Sequence, residues 1–262
     1  MPAARWSTLL LTMTLASPAL AQQPVAVDIA GRTVRLVVAP GQCAFDRNQA
    51  ADRRIFDLAS RAIAGQNELL LHTGECRNLA ELRAGRARSL NDFAQAQVSI
   101  QLKTVELAGR EAESVLAVCN ELRNQGDKIA KDVNTDIKDR VRNLQSGIAV
   151  NETRSLGILA EDNTACYSGI ILNIADSISK SRLIVGVYAI TVLSGRLLFL
   201  YRYAADPGDG ALQRLLDQQR KAVADHLAAN PTPGAAANPP AAPPSQPTTG
   251  QPQTDRKRLR LQ

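Results

Sequence analysis

The sequence predicts an α+β fold, an antiparallel sheet with helices packed on it, and three observations carry that reading. The first is the apolar stretch from Arg182 to Ala204, RLIVGVYAITVLSGRLLFLYRYA. Its β-branched and aromatic residues, among them Ile184, Val185, Val187, Tyr188, Ile190, Phe199 and Tyr201, favour strand over helix. Ser194-Gly195 at its centre suits a tight turn, so the stretch reads as a hairpin whose two faces are both covered. The second observation is that strand-like segments gather late in the chain and are joined by short turns, which implies antiparallel pairing. The third is that amphipathic helical patterns stand between and after them. A transmembrane helix over 183–201 is the rival reading; Arg196 near its centre, the Ser-Gly pair and the β-branched run oppose it.

Taken in order, the elements are these. Val25 to Ile29 and Thr33 to Val38 form a first hairpin that turns at Gly31, and Pro40-Gly41 ends it. Cys43-Ala44-Phe45 leads into a helix from about Asn48 to Ala64, with Ile55, Leu58, Ala59, Ala62 and Ile63 on one face and Gly65 closing it. Glu68 to His72 is a short strand. Asn78 is placed to cap a small helix through Leu79 and Leu82 that ends near Gly85. Phe93 to Lys103 alternates as a half-buried strand. Val115, Leu116, Cys119 and Leu122, then Ile129, Val133, Ile137, Val141, Leu144 and Ile148, keep helical spacing, either as one long helix or as two broken at Asn124-Gln125-Gly126. A strand pair follows over 153–160 and 165–174, then the central hairpin. Asp206 to Gly210 is a turn, with Asp209 set to cap a last helix that presents Leu212, Leu215, Leu216, Gln219, Val223 and Leu227 to the sheet and ends at Asn230.

The two ends differ from the middle. Arg5, the apolar run Leu9 to Ala16 and the small-residue sequence Pro18 to Ala21 read as a secretory signal peptide over residues 1–21, cleaved after Ala21. From Asn230 to Thr254 the chain is Pro, Ala, Gly, Thr, Ser, Gln and Asn, so residues 230–262 are expected to be a disordered tail. That tail ends in Arg256, Lys257, Arg258 and Arg260, a tip suited to an anionic membrane surface. The whole chain carries a formal charge of +6. The signal peptide takes one positive charge and the tail four against one negative, which leaves residues 22–229, read as one domain, only weakly basic. That balance argues against a nucleic-acid partner. Aromatic residues make up 3% of the chain, too few for a base-stacking or sugar-stacking surface.

Cys43, Cys76, Cys119 and Cys166 form an even set in an exported chain, so two disulfides are expected. Four cysteines allow three pairings and sequence does not choose among them; Cys43–Cys76 with Cys119–Cys166 is favoured for its moderate loops. No CxxC spacing suggests a metal site.

The element order resembles the Mog1/PsbP-like α/β/α sandwich. The likeness rests on the starting hairpin, the helix after Cys43-Ala44-Phe45, and the hairpin Ile184 to Tyr203 feeding the helix Ala211 to Ala229. It spans roughly residues 25–229 and carries no signature motif. The resemblance implies a sandwich used by periplasmic and thylakoid-lumen proteins, many of them without enzymatic activity.

Candidate chemistry is sparse. His226, in the last turn of the final helix, is expected to favour the helix dipole as a cation, and His72 is expected at the surface or satisfied. No GxSxG, HExxH or P-loop sequence occurs. Asp132, Asp136 and Asp139 share a face with Lys128, Lys131 and Lys138 and read as a solvated ion-pair surface. Asp206 to Gly210 resembles part of a calcium loop but lacks its later ligands, so a turn is the better reading. Asn151-Glu152-Thr153 fits a glycosylation sequon. No catalytic residue, metal or cofactor is assigned. The expectation is a non-enzymatic periplasmic or secreted protein that binds or assembles an unidentified protein or envelope component. An envelope protein anchored near 183–201, or a hydrolase with an unrecognised site, are the alternatives.

Overall fold

The hairpin that the sequence places at the centre of the chain lies at the centre of the sheet. The computed structural model describes residues 24–143, 148–176, 181–205 and 207–231. The expected signal peptide over 1–21 and the tail, including Arg256, Lys257, Arg258 and Arg260, lie outside the described residues, apart from Asn230 and Pro231. In chain order the elements are β1 (Val25–Ile29), β2 (Arg32–Leu36), β3 (Gln42–Ala44), α1 (Ala50–Ile63), β4 (Asn67–Glu75), α2 (Cys76–Arg83), β5 (Asp92–Ser99), α3 (Glu111–Asn143), β6 (Ile148–Glu161), β7 (Ala165–Asp176), β8 (Arg182–Leu193), β9 (Arg196–Ala205) and α4 (Ala211–Ala229). β1 and β2 make a two-stranded sheet of their own. The other seven strands form one antiparallel sheet in the order β3-β4-β5-β9-β8-β7-β6.

The fold class is α+β, with helices on both faces of that sheet. α4 and the β1–β2 hairpin cover one face, where Val34 and Leu36 meet Val187, Leu198, Leu200, Leu215 and Val223. α1 and α2 pack on the other face through Phe56, Leu79 and Leu82, and α3 through Val115 and Cys119. Covering both faces accounts for the nearly continuous burial of β8 and β9. The residues 183–201 that could have spanned a bilayer are therefore strand, and no described helix is long and apolar enough to cross a membrane.

The turn between β8 and β9 shows why Arg196 sits inside an apolar stretch. Ser194 and Gly195 both have positive φ, 49° and 76°, the conformation of a two-residue hairpin turn. A Cβ on Gly195 would lie 2.0 Å from Glu106 Oε1, so a side chain there would displace that carboxylate, and the φ of 76° would strain it in any case. Arg196 is buried and reaches past the turn. Its guanidinium donates to the carbonyls of Ile29, Ala30 and Val105 at 3.3, 3.3 and 2.8 Å, and meets Glu106 at 3.4 Å. One charged side chain thus pins the β1–β2 turn and the 105–108 loop to the main sheet. Asn230 closes the same end of the molecule: its side chain bonds the backbone N–H and carbonyl of Arg35 and accepts from the Ser194 hydroxyl.

Disulfides join Cys43 to Cys76 and Cys119 to Cys166, and no cysteine is free among the described residues. The first ties edge strand β3 to the start of α2; the second ties α3 to β7.

Several local expectations give way to tertiary contacts. α3 runs unbroken through Gly126, because packing of its two halves outweighs the roughly 1 kcal/mol a helical glycine costs. Ile148 opens β6 and does not extend the helical stripe, while Leu144 lies outside the described residues. α2 begins at Cys76, so Asn78 is no cap: its amide instead accepts from Asn91 N–H and donates to the Ser89 carbonyl. Cys76 N–H bonds the Gly41 carbonyl, which together with the disulfide fixes the helix start. Gly210, not Asp209, occupies the N-cap of α4; Asp209 offers only its carbonyl, to Arg214. β5 stops at Ser99, four residues early, where the Ile100 N–H turns to the Gln66 carbonyl. Of Cys43-Ala44-Phe45, expected as a lead-in to the helix, the first two residues belong to the edge strand Gln42–Ala44.

Candidate functional site

α1 lies over β4 at one side of the sheet and α3 over β6 to β8, and the two helices touch each other while leaving space above the strands between them. The space left is a cavity of about 340 Å³. Its walls are aliphatic: Ile55, Leu58 and Ala62 from α1, Ile137 and Val141 from α3, and Ile170, Leu172 and Ile174 from β7. The helical stripe on α1 that the sequence identified is thus a cavity wall, with only part of it packed in the core.

The floor is aromatic and amide. Register places Phe93 opposite Tyr203, and Tyr203 opposite Gly186. A Cβ at Gly186 would come within 2.6 Å of the Tyr203 ring and 2.9 Å of Ile170, so the missing side chain is what lets the ring lie across β8. Phe93 stacks on Tyr203 at 4.8 Å, Tyr203 on Tyr201 at 5.8 Å, and Tyr201 meets Tyr188 at 5.3 Å. Beside them runs a line of amides. Asn67 donates to Gln97 at 2.9 Å and Gln97 to Gln95 at 2.8 Å. Asp136, Gln66 and Arg140 also line the cavity, Asp136 accepting from both partners at 2.5 and 3.0 Å. Asp136 and Asp139 do form ion pairs, with Arg140 and Arg142, but Asp136 borders the cavity and is not on a wholly solvated face.

The cavity's titratable floor is neutral. Burial raises the Tyr201 and Tyr203 hydroxyls far above the ordinary phenol range. His72 sits at the cavity's inner wall between Phe45, stacked at 4.4 Å, and Phe93 at 5.8 Å. It is buried, against the expectation of a surface or satisfied residue, and neither ring nitrogen has a hydrogen-bond partner. Burial pushes its pKa from 6.5 down to about 4, opposed by the charge of Asp52. Asp52 is itself buried; burial acts to raise its pKa, but the bonds from Arg83 at 3.0 and 2.6 Å and from Asp46 N–H outweigh that and hold it low.

The other histidine is on the opposite face of the sheet. His226 donates from Nδ1 to the Ala222 carbonyl at 2.6 Å, and burial lowers its pKa. The helix-dipole reading of a cation there is corrected, because the last turn of α4 lies against the sheet and not in water. The space beside it, near Arg202 and Gln219, is about 40 Å³, enough for a water or two. A larger groove of about 680 Å³ on the outer side of α1 is open, and its Arg47, Arg61 and Lys103 stand beside Asp57 and Glu68. No group of three His, Cys, Asp or Glu side chains gathers in a metal-binding arrangement among the described residues. Asn151 bonds Asn173 across β6 and β7.

Sequence reasoning found Ile55, Leu58, Ala62, Ile137 and Val141 as helix faces and Tyr201 and Tyr203 as strand residues, but not the space they enclose. The one readable trace was Gly186 inside a β-branched strand, a position where close approach of another group is expected. No protein-family model matches the chain, and no curated protein is found to be similar to it.

Proposed function

We propose that this protein is a non-enzymatic exported binding protein that holds a small apolar molecule between α1, α3 and the sheet. The cavity carries the reading. It falls within the roughly 300–1,000 Å³ range of small-molecule sites, and it has the usual composition of apolar walls with a few convergent polar groups. Two disulfides fit an extracellular or periplasmic setting. The Mog1/PsbP-like relationship remains part of this proposal, on element order alone.

The test is titration of the full-length oxidised protein with phenylnaphthylamine, an uncharged dye that brightens in apolar surroundings. Saturable binding at one site per chain is expected. Ala59→Phe and Ala62→Phe each place a ring into the cavity from α1, and each should weaken the dye by about tenfold or more while leaving far-UV circular dichroism and the melting temperature near wild type. Two well-folded variants that bind the dye as wild type does would show that it sits elsewhere and sink the proposal.

A further inference from the structure

We infer that the occupant of this cavity is an uncharged hydrocarbon chain of about ten carbons bearing a carbonyl oxygen, as in a ketone or an ester, with the oxygen held by Gln95 and Tyr201. The inference rests on the cavity-binding reading and adds to it the chemical class of the ligand.

The amide line on the floor has a direction. Asn67 Nδ2 donates to Gln97 Oε1, and Gln97 Nε2 donates to Gln95 Oε1. The line therefore ends at Gln95 Nε2, whose two N–H groups meet no acceptor among the described residues. Tyr201 is the register partner of Gln95 on β9 and lines the same cavity. Its hydroxyl has no acceptor among the described residues either, and burial keeps it protonated. Two adjacent donors without a protein acceptor, half-buried on the aromatic and amide floor and open to the cavity, suit a ligand acceptor.

Charge narrows the choice. The Gln95 end of the floor presents neutral amides and phenols. The one cation among the cavity residues, Arg140, is paired with Asp136. A carboxylate brought to Gln95 would lose its hydration with no unpaired cation opposite it, whereas a carbonyl oxygen loses little and gains two donors. Size sets the length. At about 30 Å³ for a water-sized group, 340 Å³ holds about eleven non-hydrogen atoms. The aliphatic walls from Leu58, Ile137 and Leu172 suit the chain.

The experiment is competition against bound phenylnaphthylamine in the full-length oxidised protein at about pH 8. The competitors are a ten-carbon methyl ketone and the ten-carbon carboxylate. The ketone should displace the dye at a concentration about tenfold or more below the carboxylate. Gln95→Leu should weaken the ketone by roughly five- to tenfold and Tyr201→Phe by roughly two- to fivefold, the worth of one neutral hydrogen bond, each ketone constant being corrected for that variant's own dye affinity. A carboxylate that competes as well as the ketone overturns the inference while leaving the cavity reading intact. So does a ketone affinity that neither substitution moves, or a dye that no competitor displaces. Absence of dye binding overturns both readings together.

Discussion

His72 makes the folded state sensitive to acid. Above about pH 7 the ring is neutral in both the folded and the unfolded chain, and its contribution is fully present. Its pKa falls from 6.5 to about 4 on folding, so between those values the unfolded chain takes a proton that the folded chain refuses. Stability is then lost at about 1.4 kcal/mol per pH unit, reaching about 2 kcal/mol at pH 5 and about 3 kcal/mol at pH 4, and it levels off below that. The structural cause is a ring stacked on Phe45, with both nitrogens sealed from water and from any acceptor. His72→Phe keeps the stack and removes the titration. Urea unfolding of both proteins, disulfides intact, at about pH 7, 5 and 4 isolates the effect, because the carboxylates other than Asp52, whose charge is coupled to His72, are common to the two chains and cancel in the difference. The wild-type stability relative to the variant should fall by about 3 kcal/mol across the series. A difference that stays level within about 0.5 kcal/mol, the usual error of additivity, would refute the burial of an unpartnered ring.

Two further predictions concern the ties that hold the layers. Arg196→Met should cost about 3 kcal/mol in chemical denaturation, because the carbonyls of Ile29, Ala30 and Val105 lose their donor in a buried place; a loss below about 1 kcal/mol would contradict the pinning role. Replacing Cys119 and Cys166 together by Ala opens a loop of 47 residues, and replacing Cys43 and Cys76 opens one of 33. Loop entropy gives a loss of about 4 kcal/mol for each pair, read by urea unfolding, and wild-type stability in either double variant would contradict the bridge in question.

The residues of this chain determined its fold class by themselves. The β-branched run from Ile184 to Val192, the Ser194-Gly195 turn and the apolar faces of α1 and α4 are local patterns, and each forms the element its pattern specifies. Backbone dihedral preference and side-chain periodicity act within a few residues, so they can be read without knowing the rest of the molecule. The features that failed to read locally were those decided by a distant neighbour. Asn78 looks like a cap until the Cys43–Cys76 bridge fixes where α2 starts. His226 looks like a surface cation until α4 is laid on the sheet. Gly126 looks like a break until α3 is tied at Cys119 and buried at Val141. The cavity is the extreme case. Its walls come from residues as far apart as Ile55 and Tyr203, and it exists because α1 and α3 land over different strands and leave a gap above β5 and β9. The width of a gap between two helices is set by where each one packs, a property of the assembled layers that no stretch of sequence carries.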